Sequence, residues 1–237
     1  MGSLFAYMGS DPERLRAALL AHRELLRVQS AVAPGGDAIA SCGLGFYQGG
    51  EVLLQRRPRL APVDPAGTLV DLYEMARELR TDVLLSQVRL HAATRLAKNE
   101  NTPPFRFRSW LFTHQGQIPA LEKQQEELLK SMPDFLRRNV RGQAETELCV
   151  HLFLAALHES GSANLEDANL TPEVVLRALT RAVARVVEGA KRSATPPGPQ
   201  LIALTNGRLL LVLRHGEGAA PLGFLRLGAV NDGGRSY

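Results

Sequence analysis

The sequence predicts an α+β layered domain. Three observations carry that prediction: strand-like apolar runs sit at both ends of the chain, helical periodicities cluster between them, and no glycine loop of the phosphate-cradling kind opens a helix. Strands and helices therefore segregate instead of alternating, which argues against a doubly wound parallel sheet. The 237 residues, 45% of them hydrophobic and 22% charged, are enough for a substantial core and exclude disorder across most of the chain. We expect a single domain over residues 1–230 and a flexible tail over 231–237.

Leu4-Phe5-Ala6-Tyr7-Met8 reads as the first strand. Ser10-Asp11-Pro12-Glu13 then supplies a helix start, with a capping candidate, a proline suited to the first turn and an early acid. The spacing of Leu15, Ala18, Leu19, Leu25 and Leu26 predicts a helix that runs until Ala33-Pro34-Gly35-Gly36 breaks it. Two strands, 43–47 and 52–55, flank Gly49-Gly50 and predict a hairpin. Residues 69–79 have helical spacing, and 82–89 form an apolar run of buried-strand length. Pro103-Pro104 forbids regular structure before a strand over 109–114.

From Ala120 onward the pattern turns helical, over 120–130, 133–138, 144–159 and 171–190. A proline-rich link over 193–199 leads to a second hairpin, strands 201–204 and 209–213, with Asn206-Gly207 supplying positive φ values at the turn. A last strand is expected over 222–227.

Composition also narrows the function. The net charge is +4, and its most concentrated part is Arg177, Arg181, Arg185 and Arg192, spaced for one helix face. Val174, Val175, Leu176, Leu179, Val183, Val186 and Val187 occupy the opposite face, so the segment reads as an amphipathic surface helix and not as a phosphate-binding stripe. Aromatics are only 5%, which leaves little for base stacking, and no nucleic-acid partner is expected. No apolar stretch is long enough to span a bilayer, and the N-terminus lacks the pattern of a signal peptide. No membrane role is expected. Cys42 and Cys149 are too few for a disulfide framework, so a cytoplasmic setting is expected. Both read as small buried hydrophobes. His91, His114, His151 and His158 fall in no metal-ligand spacing, and no metal or other cofactor is expected.

An ordered set of short motifs resembles the class II glutamine amidotransferases, members of the N-terminal nucleophile hydrolases, and most closely the stand-alone bacterial type. Ser41-Cys42-Gly43-Leu44-Gly45-Phe46-Tyr47 resembles the family's Gly-Trp-Gly-Ile-Gly-Phe-Tyr strand. Val88-Arg89 resembles its arginine motif, and Glu100-Asn101-Thr102-Pro103-Pro104-Phe105 its Glu-Asn-Thr-His-Pro-Phe segment. The run from Trp110 through His114-Gln115-Gly116 to Ile118 resembles Trp-x-Phe-x-His-Asn-Gly-x-Ile. Gly142 to Glu147 resembles Gly-x-x-Asp-Ser-Glu, and Leu204 to Arg214 the late hairpin. No single motif is specific; the ordered set is. The resemblance implies a four-layer αββα sandwich, in agreement with the strand–helix–strand order.

It also implies a chemistry. In the family a cysteine directly after the removed initiator methionine attacks the glutamine amide, with its own α-amine as base. Here that position is Gly2, which has no side chain, so the nucleophile position is vacant. Gln115 stands for the asparagine of the oxyanion hole, followed by the expected Gly116; the added methylene displaces the donor from a fixed point. Glu145 stands for the aspartate that binds the substrate α-amine, and Arg89 is the retained arginine that holds the α-carboxylate. Arg89 and Glu145 are equally consistent with a structural ion pair, and Glu145 with a first-turn acid.

The reading favoured is a class II amidotransferase-like protein that has lost glutaminase activity and binds a glutamine-like small molecule or a protein partner. One alternative is an active hydrolase of γ-glutamyl amides whose native cysteine has been replaced at residue 2. Another is a scaffold with no small ligand.

Overall fold

The structure is a computed structural model that describes residues 3–24, 26–29, 39–60, 68–91, 98–140, 144–162, 164–167, 169–196, 198–219, 221–224 and 226. Two antiparallel four-stranded sheets form its middle. In the first, β6 (Val83–His91) lies between β1 (Ser3–Met8) and β3 (Ile39–Gln48), and β4 (Glu51–Arg57) completes the order β1-β6-β3-β4. In the second, the order is β10 (Leu210–His215), β9 (Gln200–Thr205), β8 (Trp110–Gly116), β7 (Phe105–Phe107). A small ribbon pairs β2 (Arg27–Gln29) with β5 (Thr68–Asp71).

The side-chain period of two sorts each sheet into an inner and an outer face. On β6, Leu84 joins a cluster with Leu15, Leu19 and Tyr73, from α1 (Arg14–Ala21) and α2 (Leu72–Ala76). Leu85, one residue on, packs between the sheets with Val52, Leu111 and Ala203. On β8 the alternation continues: Trp110 and Phe112 face a third cluster built from α5 (Glu145–Glu159) and α6 (Pro172–Arg192). Helices, sheet, sheet and helices thus stack in the αββα order, with α3 (Leu121–Lys130) and α4 (Asp134–Arg137) against the α5 side.

Arginine and tyrosine side chains tie the sheets together. Arg106 of β7 donates to the Val52 carbonyl of β4 at 2.8 Å, while Arg56 of β4 donates back to the Pro104 carbonyl at 2.5 Å. The Tyr47 hydroxyl sits close to two carbonyls of the other sheet's strands and turns, Ser109 at 2.6 Å and Thr205 at 3.1 Å. Gly189 lets α3 approach α6, because a Cβ there would collide with the Gln124 side-chain oxygen.

Several local expectations are corrected. The first helix starts at Arg14 and ends at Ala21; Asp11 accepts from the Glu13 amide ahead of it, and the chain then turns into β2. Leu26 and the ribbon that follows replace the extra helical turns, since pairing with β5 satisfies the backbone there. Residues 69–79 divide into strand and helix at Asp71, whose carboxylate accepts from the Tyr73 and Glu74 amides. Only Gly207 has positive φ in the late turn, at 89°; Asn206 contributes through its side-chain oxygen, which accepts from the Arg208 and Leu209 amides. Leu176 is 47% exposed and not part of the buried stripe of α6. Residues 222–224 and 226 are not strand, and β7 is a strand the pattern did not predict. The tail over 231–237 lies outside the described residues.

Candidate functional site

Arg89 and Glu145 come from opposite halves of the sandwich. Arg89 shares a face of β6 with Leu85 and Gln87, the face toward the second sheet, and emerges at the strand's far end. Glu145 is the first residue of α5. That helix start is docked on the end of β8: the Thr146 hydroxyl is 3.5 Å from the His114 carbonyl, which also accepts from the Gln87 side-chain amide at 2.8 Å.

The two charges act on each other. Burial lowers the Arg89 pKa, and Glu145 opposes that effect; burial raises the Glu145 pKa, and Arg89 opposes it, helped by the Ile118 backbone amide. Yet among the described residues no salt bridge joins the two. Surface arginines behave differently: Arg185 pairs with Glu159, and Arg192 with Glu127 at 2.9 Å, so half of the predicted basic stripe is occupied by carboxylates. Arg89 and Glu145 instead hold opposite charges, partly buried and out of contact, which is costly for a fold and suited to a ligand with both charges.

The remaining predicted positions follow. Gln115 and Gly116 are the last two residues of β8, and Gln115 falls by alternation on the inner face with Leu111 and Thr113. Gly2 lies outside the described residues; Ser3, the first of them, pairs with Val88, the residue before Arg89. Pro103 is buried, its carbonyl against Gly43 where a Cβ would collide.

Both thiols are buried. Cys42 packs with Val70 and Val88, and burial pushes it up to about 11. Cys149 lies one turn after Glu145 in the main core, and burial pushes its thiol up as well. His114 is fully buried and held down to about 4, by burial first and by the Arg89 charge.

Sequence reasoning missed Gln200, which opens β9 and contacts His114. Its signal was a lone polar residue between a proline-rich link and a wholly apolar strand.

Comparison with known proteins matches this architecture to one family. A family model described as glutamine amidotransferases class-II matches residues 29–228, a span that includes Arg89, Gln115, Gly116 and Glu145. The chain belongs to the class II glutamine amidotransferases. Among solved structures, a glutamine aminotransferase class-II domain protein from Silicibacter pomeroyi is similar at a TM-score of 0.51 and 22% identity, over 77% of this chain and 79% of that one. That likeness shows the shared fold. A search of the curated proteins found no significant match. No helix among the described residues is long and apolar enough to cross a membrane.

Proposed function

We propose that this chain is a class II amidotransferase-like protein that has lost glutaminase chemistry and binds an amino-acid-like ligand between Arg89 and Glu145. The observation that carries this reading is the separated charge pair. Each group is desolvated, each feels the other, and no direct salt bridge joins them. A zwitterion offers the missing partners: its carboxylate accepts from the Arg89 fork, and its ammonium donates to Glu145.

Loss of the chemistry is supported by residue identity and by the state of the thiols. Gly2 has no side chain to attack an amide. Cys42 and Cys149 are no substitutes, because a nucleophile must be accessible and ionised, whereas burial disfavours both thiolates. Gln115 in place of asparagine moves the donor of the oxyanion position outward by one methylene.

The test pairs calorimetric titration of L-glutamate and L-glutamine with an assay for glutamate release, on protein whose intact mass fixes residue 2 as glycine. Binding is expected, and Arg89→Ala is expected to abolish it while leaving the chain folded. Affinity retained in Arg89→Ala sinks the placement. Glutamate release well above a protein-free blank overturns the lost chemistry and favours the γ-glutamyl hydrolase. Binding should also weaken at low pH: the ammonium needs ionised Glu145, whose raised pKa brings protonation in above the ordinary carboxylate range.

A further inference from the structure

One amide side chain grips the backbone around Gln115 and Gly116. The His114 ring lies on the helix side of β8, with its Nε2 2.5 Å from Gln200 Oε1. The Gln200 amide nitrogen donates to the Gln117 carbonyl at 2.7 Å and the Gly198 carbonyl at 3.1 Å, so its oxygen is the end that faces the ring. An amide oxygen only accepts, so Nε2 carries the ring proton and Nδ1 is a bare acceptor. Nδ1 is buried and, among the described residues, has no hydrogen-bond partner. The imidazole is therefore neutral and in a single tautomer.

Gly116 makes this arrangement possible. It stands opposite Gln200 in the β8–β9 ladder, and a Cβ on it would lie 2.8 Å from His114 Nε2, 2.9 Å from Gln200 Oε1 and 2.5 Å from the Pro199 carbonyl. The diagonal His114–Gln200 bond occupies the space that a side chain at 116 would need. Gln200 thereby ties together residue 114, residue 117 and the incoming link at 198. At the same end of β8, the Thr146 hydroxyl, next to Glu145 in the first turn of α5, lies 3.5 Å from the His114 carbonyl.

We propose that Gln200 is a positioning residue of the Arg89–Glu145 site: through His114 and the Gln117 carbonyl it fixes the segment 114–118, and with it the first turn of α5 that carries Glu145. The consequence for binding rests on the ligand reading above; the consequence for the segment does not.

The experiment compares the wild-type chain with Gln200→Met, which keeps length but neither donates to the two carbonyls nor accepts from His114, and with Gln200→Leu as a second variant should Met fail to fold. Ile202→Val is the control, since Ile202 packs in the same wall without joining these bonds. Histidine 15N spectra read the tautomer, hydrogen exchange reads the Ile118 amide, and titration with L-glutamate reads the site. Expected are a pure Nε2–H tautomer in wild type, a mixed one in Gln200→Met, faster Ile118 exchange than in Ile202→Val, and about tenfold weaker L-glutamate binding, the equivalent of one hydrogen bond. Unchanged tautomer and exchange in Gln200→Met overturn the proposal. If wild type binds no amino acid, the ligand reading fails, and tautomer and exchange still decide the role of Gln200.

Discussion

The two outer layers of the sandwich are built very differently. On one side, α5 with 15 residues and α6 with 21 cover the second sheet, and Phe153 of α5 packs on the buried Trp110 and Phe112 of β8. On the other, α1 has eight residues and α2 five, and their cluster is made chiefly of leucine, alanine and tyrosine. The thick side positions Glu145 and His114; the thin side's sheet positions Arg89. A binding site placed across this seam has one wall anchored in the larger core and the other in a strand held mainly by its neighbours β1 and β3.

The sharpest way to break the comparison is to empty one core and then the other. Trp110 is edge-to-face with Phe153 at 5.1 Å and donates its indole N–H to the Leu165 carbonyl at 2.7 Å. Trp110→Ala is expected to cost about 3–5 kcal/mol in denaturant unfolding. Leu19→Ala on the thin side should cost about 2 kcal/mol, because two short helices can settle into the space. Equal losses would mean that helix length does not set how each side responds.

Acid should weaken the thick side next. His114 has a folded pKa of about 4, below its ordinary 6.5, so between those values the unfolded chain binds the extra proton. Its contribution is complete above pH 6.5 and is lost as the pH falls towards 4, a difference of about 3 kcal/mol. His114→Gln should flatten the stability profile across that window. A profile as steep as wild type would assign the acid sensitivity elsewhere.

A smaller effect is expected at the junction of β5 and α2. Asp71 accepts from the Tyr73 and Glu74 amides and pairs with Arg23 at 2.8 Å. Asp71→Ala should cost about 1 kcal/mol, chiefly as a lost cap. Smallest of all, Leu176→Ser on the exposed edge of α6 should change stability by no more than about 0.5 kcal/mol. A large loss there would place Leu176 under a contact that the fold does not provide.

The same contrast explains what was legible. Long helices repeat their signal over many turns, so α3, α5 and α6 could be drawn from the sequence to within a residue or two. The glycine pair at 49–50 likewise announced its hairpin, since both residues adopt positive φ, 60° and 82°. On the thin side the elements are a few residues long, and one apolar run over 69–79 serves first as strand and then as helix. Only pairing with β2 and the Asp71 cap divide it, and neither partner is visible in a local window.

By itself the sequence determined the layered α+β class, the buried strand that carries Arg89, the helix whose start carries Glu145, and the family likeness. These depend on local periodicity and on motif order. Tertiary structure alone decided that Arg89 and Glu145 approach without a salt bridge, and that Gln200 reaches His114 across 86 residues of chain. Those facts depend on sheet register and on burial, which arise only when distant strands and helices pack and water is excluded between them.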